Sequence, residues 1–165
     1  MISTSNRPDL RRIGESAFTE VLGTLFSWRA TIRNSATDST VSAAPDQITS
    51  SVLLKGERLS GSVHLQLPQA FAAQAVHRLT GLDSDVANAN ELQDDAAGEL
   101  ANMVAGRVAA HLATDGYPCQ LGTPSVCHGA RLPSKPQPGA IHARTDLVCE
   151  GHLLSLEIQC CYADR

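Results

Sequence analysis

Between Asp9 and Ile32 apolar residues recur at three- and four-residue steps, with Phe18, Val21, Leu22, Leu25 and Trp28 sharing one side. That period predicts a helix over about residues 9–32. The run NSATDSTVSAAPDQ at 34–47 is small, polar and unpatterned, and reads as a connection. Beyond it the period drops to two. The segment ITSSVLLK is followed by Val63, Leu65 and Leu67 alternating with Ser62, His64 and Gln66, so two strands joined through GERLSG predict a hairpin. Pro68 suits the first turn of a second helix, where its missing N–H costs nothing. Phe71, Ala75, Val76 and Leu79 give that helix a buried side, and Gly81 is its stop. After the polar stretch LDSDVANA, a third helix begins at Asn90, with Gln93 three residues on as a variant capping box. It runs to about Thr114, where Asp115-Gly116 ends it.

The remainder reads as strand. Short pieces lie around Leu121 and Val126, followed by a Pro-rich connection at 129–139. A closing hairpin has arms near Ile141–Cys149 and Leu153–Tyr162 and turns at Glu150-Gly151, with Leu154, Leu156, Ile158 and Cys160 as its inward row. Helix, two strands, two helices and several strands define an α+β fold, with helices covering a largely antiparallel sheet.

Composition narrows the function classes. The 165 residues and 17.5 kDa suit one domain spanning 1–165. Thirteen Lys and Arg against 17 Asp and Glu leave a net charge of -4, which argues against nucleic acid as the main partner, because phosphate binding needs a concentrated positive field. No run approaches the roughly 18 apolar residues of a membrane span. The opening MISTSNRPDL lacks the apolar core of a signal peptide, so a cytoplasmic location is expected. Five cysteines, at 119, 127, 149, 160 and 161, are odd in number and form no Cys-x-x-Cys, which favours free thiols in a reducing compartment. A zinc site drawn from Cys119, Cys127, His128 and Cys149 lacks the short ligand pair of tetrahedral sites, so no metal site is assigned.

The third helix, LQDDAAGELANMVAGRVAAHLA, is the informative segment. At about 100° per residue, Leu92, Ala96, Leu100, Met103, Val104 and His111 spread over one broad side, while Asp95, Glu99, Asn102 and Gly106 fall within about 60° on another. Glu99 and Asn102 are neighbours at i, i+3, and Gly106, one turn on, leaves the surface low. A glycine inside a helix costs on the order of 1 kcal/mol, which close approach of another surface would explain. Pattern alone also fits a solvated polar side.

The stretch DAAGELANMVAGRVAAHL resembles the signature helix of the CheC/CheX/FliY chemotaxis phosphatases, an Asp or Ser followed by Glu-x-x-Asn, here Asp95, Glu99 and Asn102. Pro124 resembles the proline that closes the family motif, LSGSVHLQLPQAFAAQAVHRLTG the preceding strand and helix, and SAFTEVLGTLFSW the first long helix. The resemblance covers about residues 16–127. CheC-type members often carry a second Glu-x-x-Asn on the first helix; here Glu20 is followed by Gly23 in the amide position, which resembles CheX and leaves one site.

The resemblance implies an α/β sandwich of the CheC-like kind, two long helices side by side on one face of the sheet, and a homodimer formed by joining sheets, with the closing hairpin as the candidate edge. It also implies a phosphatase acting on the phospho-aspartate of a CheY-like response regulator. Asn102 would orient the attacking water and Glu99 would dock the regulator's active-site lysine. Asp95, Gly106 and Arg107 would lie on the docking surface, with Asp95 supporting the helix's first turn. No cofactor of its own is expected, Mg²⁺ being held by the partner regulator. The alternative is a non-catalytic docking domain for a receiver or flagellar switch component. A cysteine-based redox or metal protein is a third reading.

Overall fold

The computed structural model describes residues 7–33, 46–129 and 137–163. Most of the connections expected at 34–47 and 129–139 lie outside the described residues. The elements in chain order are α1 (Leu10–Phe26), β1 (Ala30–Arg33), β2 (Gln47–Lys55), β3 (Leu59–Pro68), α2 (Gln69–Thr80) and α3 (Ala89–Thr114), then β4 (Gln120–Leu121), β5 (Ser125–His128), β6 (Ile141–Cys149) and β7 (His152–Tyr162). The strands join one antiparallel sheet in the order β1-β6-β7-β3-β2-β4, with β5 also on β2.

The alternation in β3 and β7 sends Val63, Leu65, Leu67, Leu154, Leu156, Ile158 and Cys160 to one side, where all are buried. The helices cover that side. α1 lies on β6 and β7, α3 on β2 and β3, and α2 on β3 and α3. Phe18, Leu22, Phe71, Val104 and Val108 fill the layer between helices and sheet. α1 and α3 run side by side. The expected α+β sandwich is therefore the fold observed.

The opposite side of the sheet carries no helix among the described residues, yet it is not simply wet. Three cross-strand rows of polar residues cross it: Ser51, His64, Glu157 and Arg144; Leu53, Ser62, Gln159 and His142; and Thr49, Gln66, Ser155 and Asp146. Glu157, Gln159, Ser155 and Gln66 are buried there. Strand alternation marked these positions as outward but not as buried. Neighbouring long side chains in rows across four strands of the sheet shield one another, and Arg144 bridges Asp146 (3.0 Å), Ser155 (3.3 Å) and Glu157 (3.5 Å).

Several boundaries differ from expectation. The first helix ends at Phe26 rather than near Ile32, because Ser27 turns left-handed (φ 58°) and donates its N–H to Gly23. The apolar period continues past that point for a different reason: Trp28 stacks on Phe26 from the connection at 4.5 Å, and residues 30–33 form β1. Asn90 and Gln93 do not cap α3. The helix starts at Ala89, and both side chains accept instead from Gln69 Nε2 of α2 (3.1 and 2.9 Å). Pro68 closes β3 and caps α2 with extended backbone rather than entering the helix. Gly81 (φ 74°) ends α2 as expected, and Glu150 (φ 51°) with Gly151 (φ 79°) makes the hairpin turn.

Two glycines give a contrasting test of the packing. A Cβ at Gly61 in β3 would stand 2.1 Å from the Gln159 carbonyl oxygen, whereas one at Gly23 in α1 meets nothing within 4 Å. Urea denaturation should show Gly61→Ala losing about 1–3 kcal/mol or more, and Gly23→Ala gaining up to about 1 kcal/mol from reduced backbone entropy in the unfolded chain.

Candidate functional site

α3 is buried along a broad stripe comprising Ala97, Gly98, Leu100, Ala101, Val104, Ala105, Val108 and Leu112. The small residues in it matter. A Cβ on Gly98 would sit 3.4 Å from Val126 Cγ2 and 3.8 Å from Pro124 Cβ, so the chain leading into β5 presses directly on the helix. Leu92, Ala96, Met103 and His111, expected with Leu100 and Val104 on the apolar side, are only half-buried flanks. The period was right and the centre of the stripe was displaced, because α1, α2 and the sheet enclose α3 from three directions.

At about 100° per residue the middle of this stripe lies roughly opposite Asp95, Glu99, Asn102 and Gly106. Those four therefore share the outward face. Glu99 and Asp95 are exposed, while Asn102 and Gly106 are partly covered. Among the described residues, the side chains of Glu99 and Asn102 have no hydrogen bond or ion pair. Side chains three apart on a helix stand about 5–6 Å apart at Cβ, close enough for an acid and an amide to grip one ligand group together.

The surroundings fix this face without using it. His128 at the end of β5 meets Asp94 at 2.6 Å, tying the strand to the helix one residue before Asp95. Pro124 flanks Gly98, immediately before Glu99. Arg107 reaches Glu20 of α1 at 3.2 Å and so joins the two long helices. Asp95 lies too far from Ala89 to support the first turn, where Glu91 stands instead. Gly106 is not demanded by internal packing, since a Cβ there would meet only Leu121 Cδ1 at 3.9 Å; the tight approach expected at this position falls at Gly98. On α1, Glu20 and Gly23 present an acid and an empty place.

Three of the five cysteines are held as thiols by their surroundings. Burial pushes the Cys149 thiol up to about 11 and the Cys160 thiol up to about 12, and raises Cys119 as well, which suppresses thiolate formation. Among the described residues no three His, Cys, Asp or Glu side chains are placed to hold a metal ion, and no helix is long and apolar enough to cross a membrane.

Residues 48–143, more than half of the chain, match the family model described as chemotaxis phosphatase CheX. The chain belongs to the CheX family. The matched span holds α3 with Asp95, Glu99, Asn102 and Pro124. Solved structures agree in fold. The chemotaxis protein CheX of Vibrio vulnificus superposes with a TM-score of 0.77 at 19% identity, covering 96% of this chain and 99% of that one. The CheX of Borrelia burgdorferi, solved in a complex with CheY, BeF3 and Mg²⁺, gives 0.73 at 15% identity over 94% and 99%. Thermotoga maritima FliY gives 0.59 at 20% identity over 99% and 93%. No curated protein matches the sequence.

The Arg107–Glu20 pair is half-exposed at both ends, so Arg107→Ala should change stability by less than about 1 kcal/mol in urea denaturation. A larger loss would make the pair a strut between α1 and α3.

Proposed function

We propose that this protein accelerates hydrolysis of the phospho-aspartate of a CheY-like response regulator. The observation that carries this reading is the free acid–amide pair, Glu99 and Asn102, one turn apart on the outward face of α3. Membership of the CheX family supports it, as does the fold shared with a CheX that has been crystallised with CheY.

The chemistry asks little of such a helper. Phosphoryl transfer depends on positioning and charge stabilisation rather than on new covalent steps. The regulator would bring its own Mg²⁺ and lysine, and this chain would bring no cofactor. A side-chain amide both donates and accepts hydrogen bonds, so Asn102 can hold a water in line with the phosphorus. Glu99 would meet the regulator's lysine in a charge-assisted contact that sets the docking register. Asp95 adds negative charge on the same face, and Gly106 keeps it low enough for a partner to approach. Arg107 is held by Glu20, which makes it a brace beside the docking surface rather than a free contact.

Decay of the phosphorylated regulator is the test. Asn102→Ala should lower the accelerated rate by at least about 100-fold while binding persists. Glu99→Ala should weaken binding about tenfold as well as slow the reaction. Full activity in Asn102→Ala would overturn the mechanism, and binding without acceleration by the unmodified protein would establish the docking alternative instead.

A homodimer joined edge to edge accompanies this reading. β1 pairs only with Asp146–Cys149 of β6, so Ile141–Thr145 has no second strand neighbour among the described residues. The closing hairpin as a whole is thus not the edge; half of β6 is. Light scattering should give twice 17.5 kDa, and a monomer at micromolar concentration would remove the proposal.

A further inference from the structure

The helix-free side of the sheet holds a pocket of about 290 Å³ far from the chemistry proposed for α3. Its floor comes from the row of Leu53, Ser62 and Gln159 and from a further row on the same side, Lys55, Ser60 and Cys161. Because antiparallel partners share a face, all six side chains rise on the same side. Ala140, just before β6, adds a wall.

Three features of this floor are unusual for a bare sheet surface. Gln159 is only 6% exposed, yet its Nε2 has no hydrogen-bond partner among the described residues. A buried amide with unmet donors carries a desolvation penalty that an acceptor placed in the pocket would remove. Lys55 is exposed and has no ion pair or hydrogen bond among the described residues, so its ammonium is available to an anion. Leu53, two residues before Lys55 on the same side of β2, is 65% exposed and adds an apolar surface.

Ser62 completes the polar side. Its Oγ lies 2.8 Å from His64 Nε2, while Ser51 Oγ lies 2.7 Å from Nδ1 of the same ring. Burial, and then the neighbouring His142, hold the His64 pKa down, so the ring stays neutral and offers one donor and one acceptor. In the tautomer protonated at Nε2, Ser62 receives that proton's hydrogen bond and its own O–H is free to point into the pocket. The buried carboxyl of Glu157 belongs to the adjacent row, where burial raises its pKa and Arg144 faces it at 3.5 Å.

Donors at Gln159, Lys55 and Ser62 with an apolar flank at Leu53 and Ala140 select a ligand by sign and size. The geometry points to a binding site for a small organic carboxylate with an apolar body, its acceptor atoms towards Lys55 and the Gln159 amide and its body against Leu53. The volume sits at the small end of ligand pockets, which favours a compact acid. This site is independent of the phosphatase reading, because none of its residues lies on α3.

Benzoate titrated into the ¹⁵N-labelled full-length protein tests it, with benzamide as the neutral isostere and butylamine as the cation. Saturable shifts are expected at Leu53–Lys55, Ser60–Ser62 and Gln159–Cys161, with benzamide about tenfold weaker and butylamine inert. Lys55→Gln, at an exposed position that leaves the fold alone, should weaken benzoate about tenfold. Gln159→Leu should do the same while keeping the pocket's shape. Asn102→Ala should bind benzoate as the unmodified protein does, whatever its phosphatase activity. Absence of saturation, shifts spread outside the pocket, equal binding of butylamine, or unchanged affinity in Lys55→Gln would each overturn the site.

Discussion

Close approach of α3 to its surroundings is the constraint on which the rest of this structure depends. The helix touches α1, α2 and the sheet at once, and it does so through alanines and glycines at 97, 98, 101 and 105. Larger residues there would push the three helices apart and open the core around Phe18 and Phe71. So enclosed, the helix keeps only its outward side open to water, and the acid and amide stand there together with exposed Asp95 and Arg107.

Rigidity follows from the same arrangement. Residues on a long helix packed against α1, α2 and the sheet, with Asp94 held by His128 at one flank, have little freedom to drift. A water-positioning amide needs such support, since misplacement by about an ångström erases most of the benefit. On the proposed reading, the chemistry and the helix's packing are one requirement.

Much of this was legible in the sequence. Alternation in β3 and β7 gave the core face of the sheet, and Gly81 and Gly151 marked real turns. The Glu99–Asn102 spacing puts both residues on one side of α3, and that side faces outward. What was illegible has physical causes. The period through Trp28 reported burial, which aromatic stacking from a connection satisfies as well as a helix does. Asn90 and Gln93 had the spacing of a cap, but a glutamine from a different element, Gln69, competed for their oxygens. The polar rows on the open face were invisible because alternation tells which way a side chain points, not whether its neighbours shield it. Glu157 is the clearest case, an outward residue that is 1% exposed.

The empty space above Gly23 bears on how such a protein changes over generations. Glu20 is already present one turn earlier, and the place an amide would occupy touches nothing. The number of acid–amide surfaces on this scaffold is therefore separable from its foldability. On the proposed reading, a substitution at position 23 together with release of Glu20 from Arg107 would add a second surface that the core never registers.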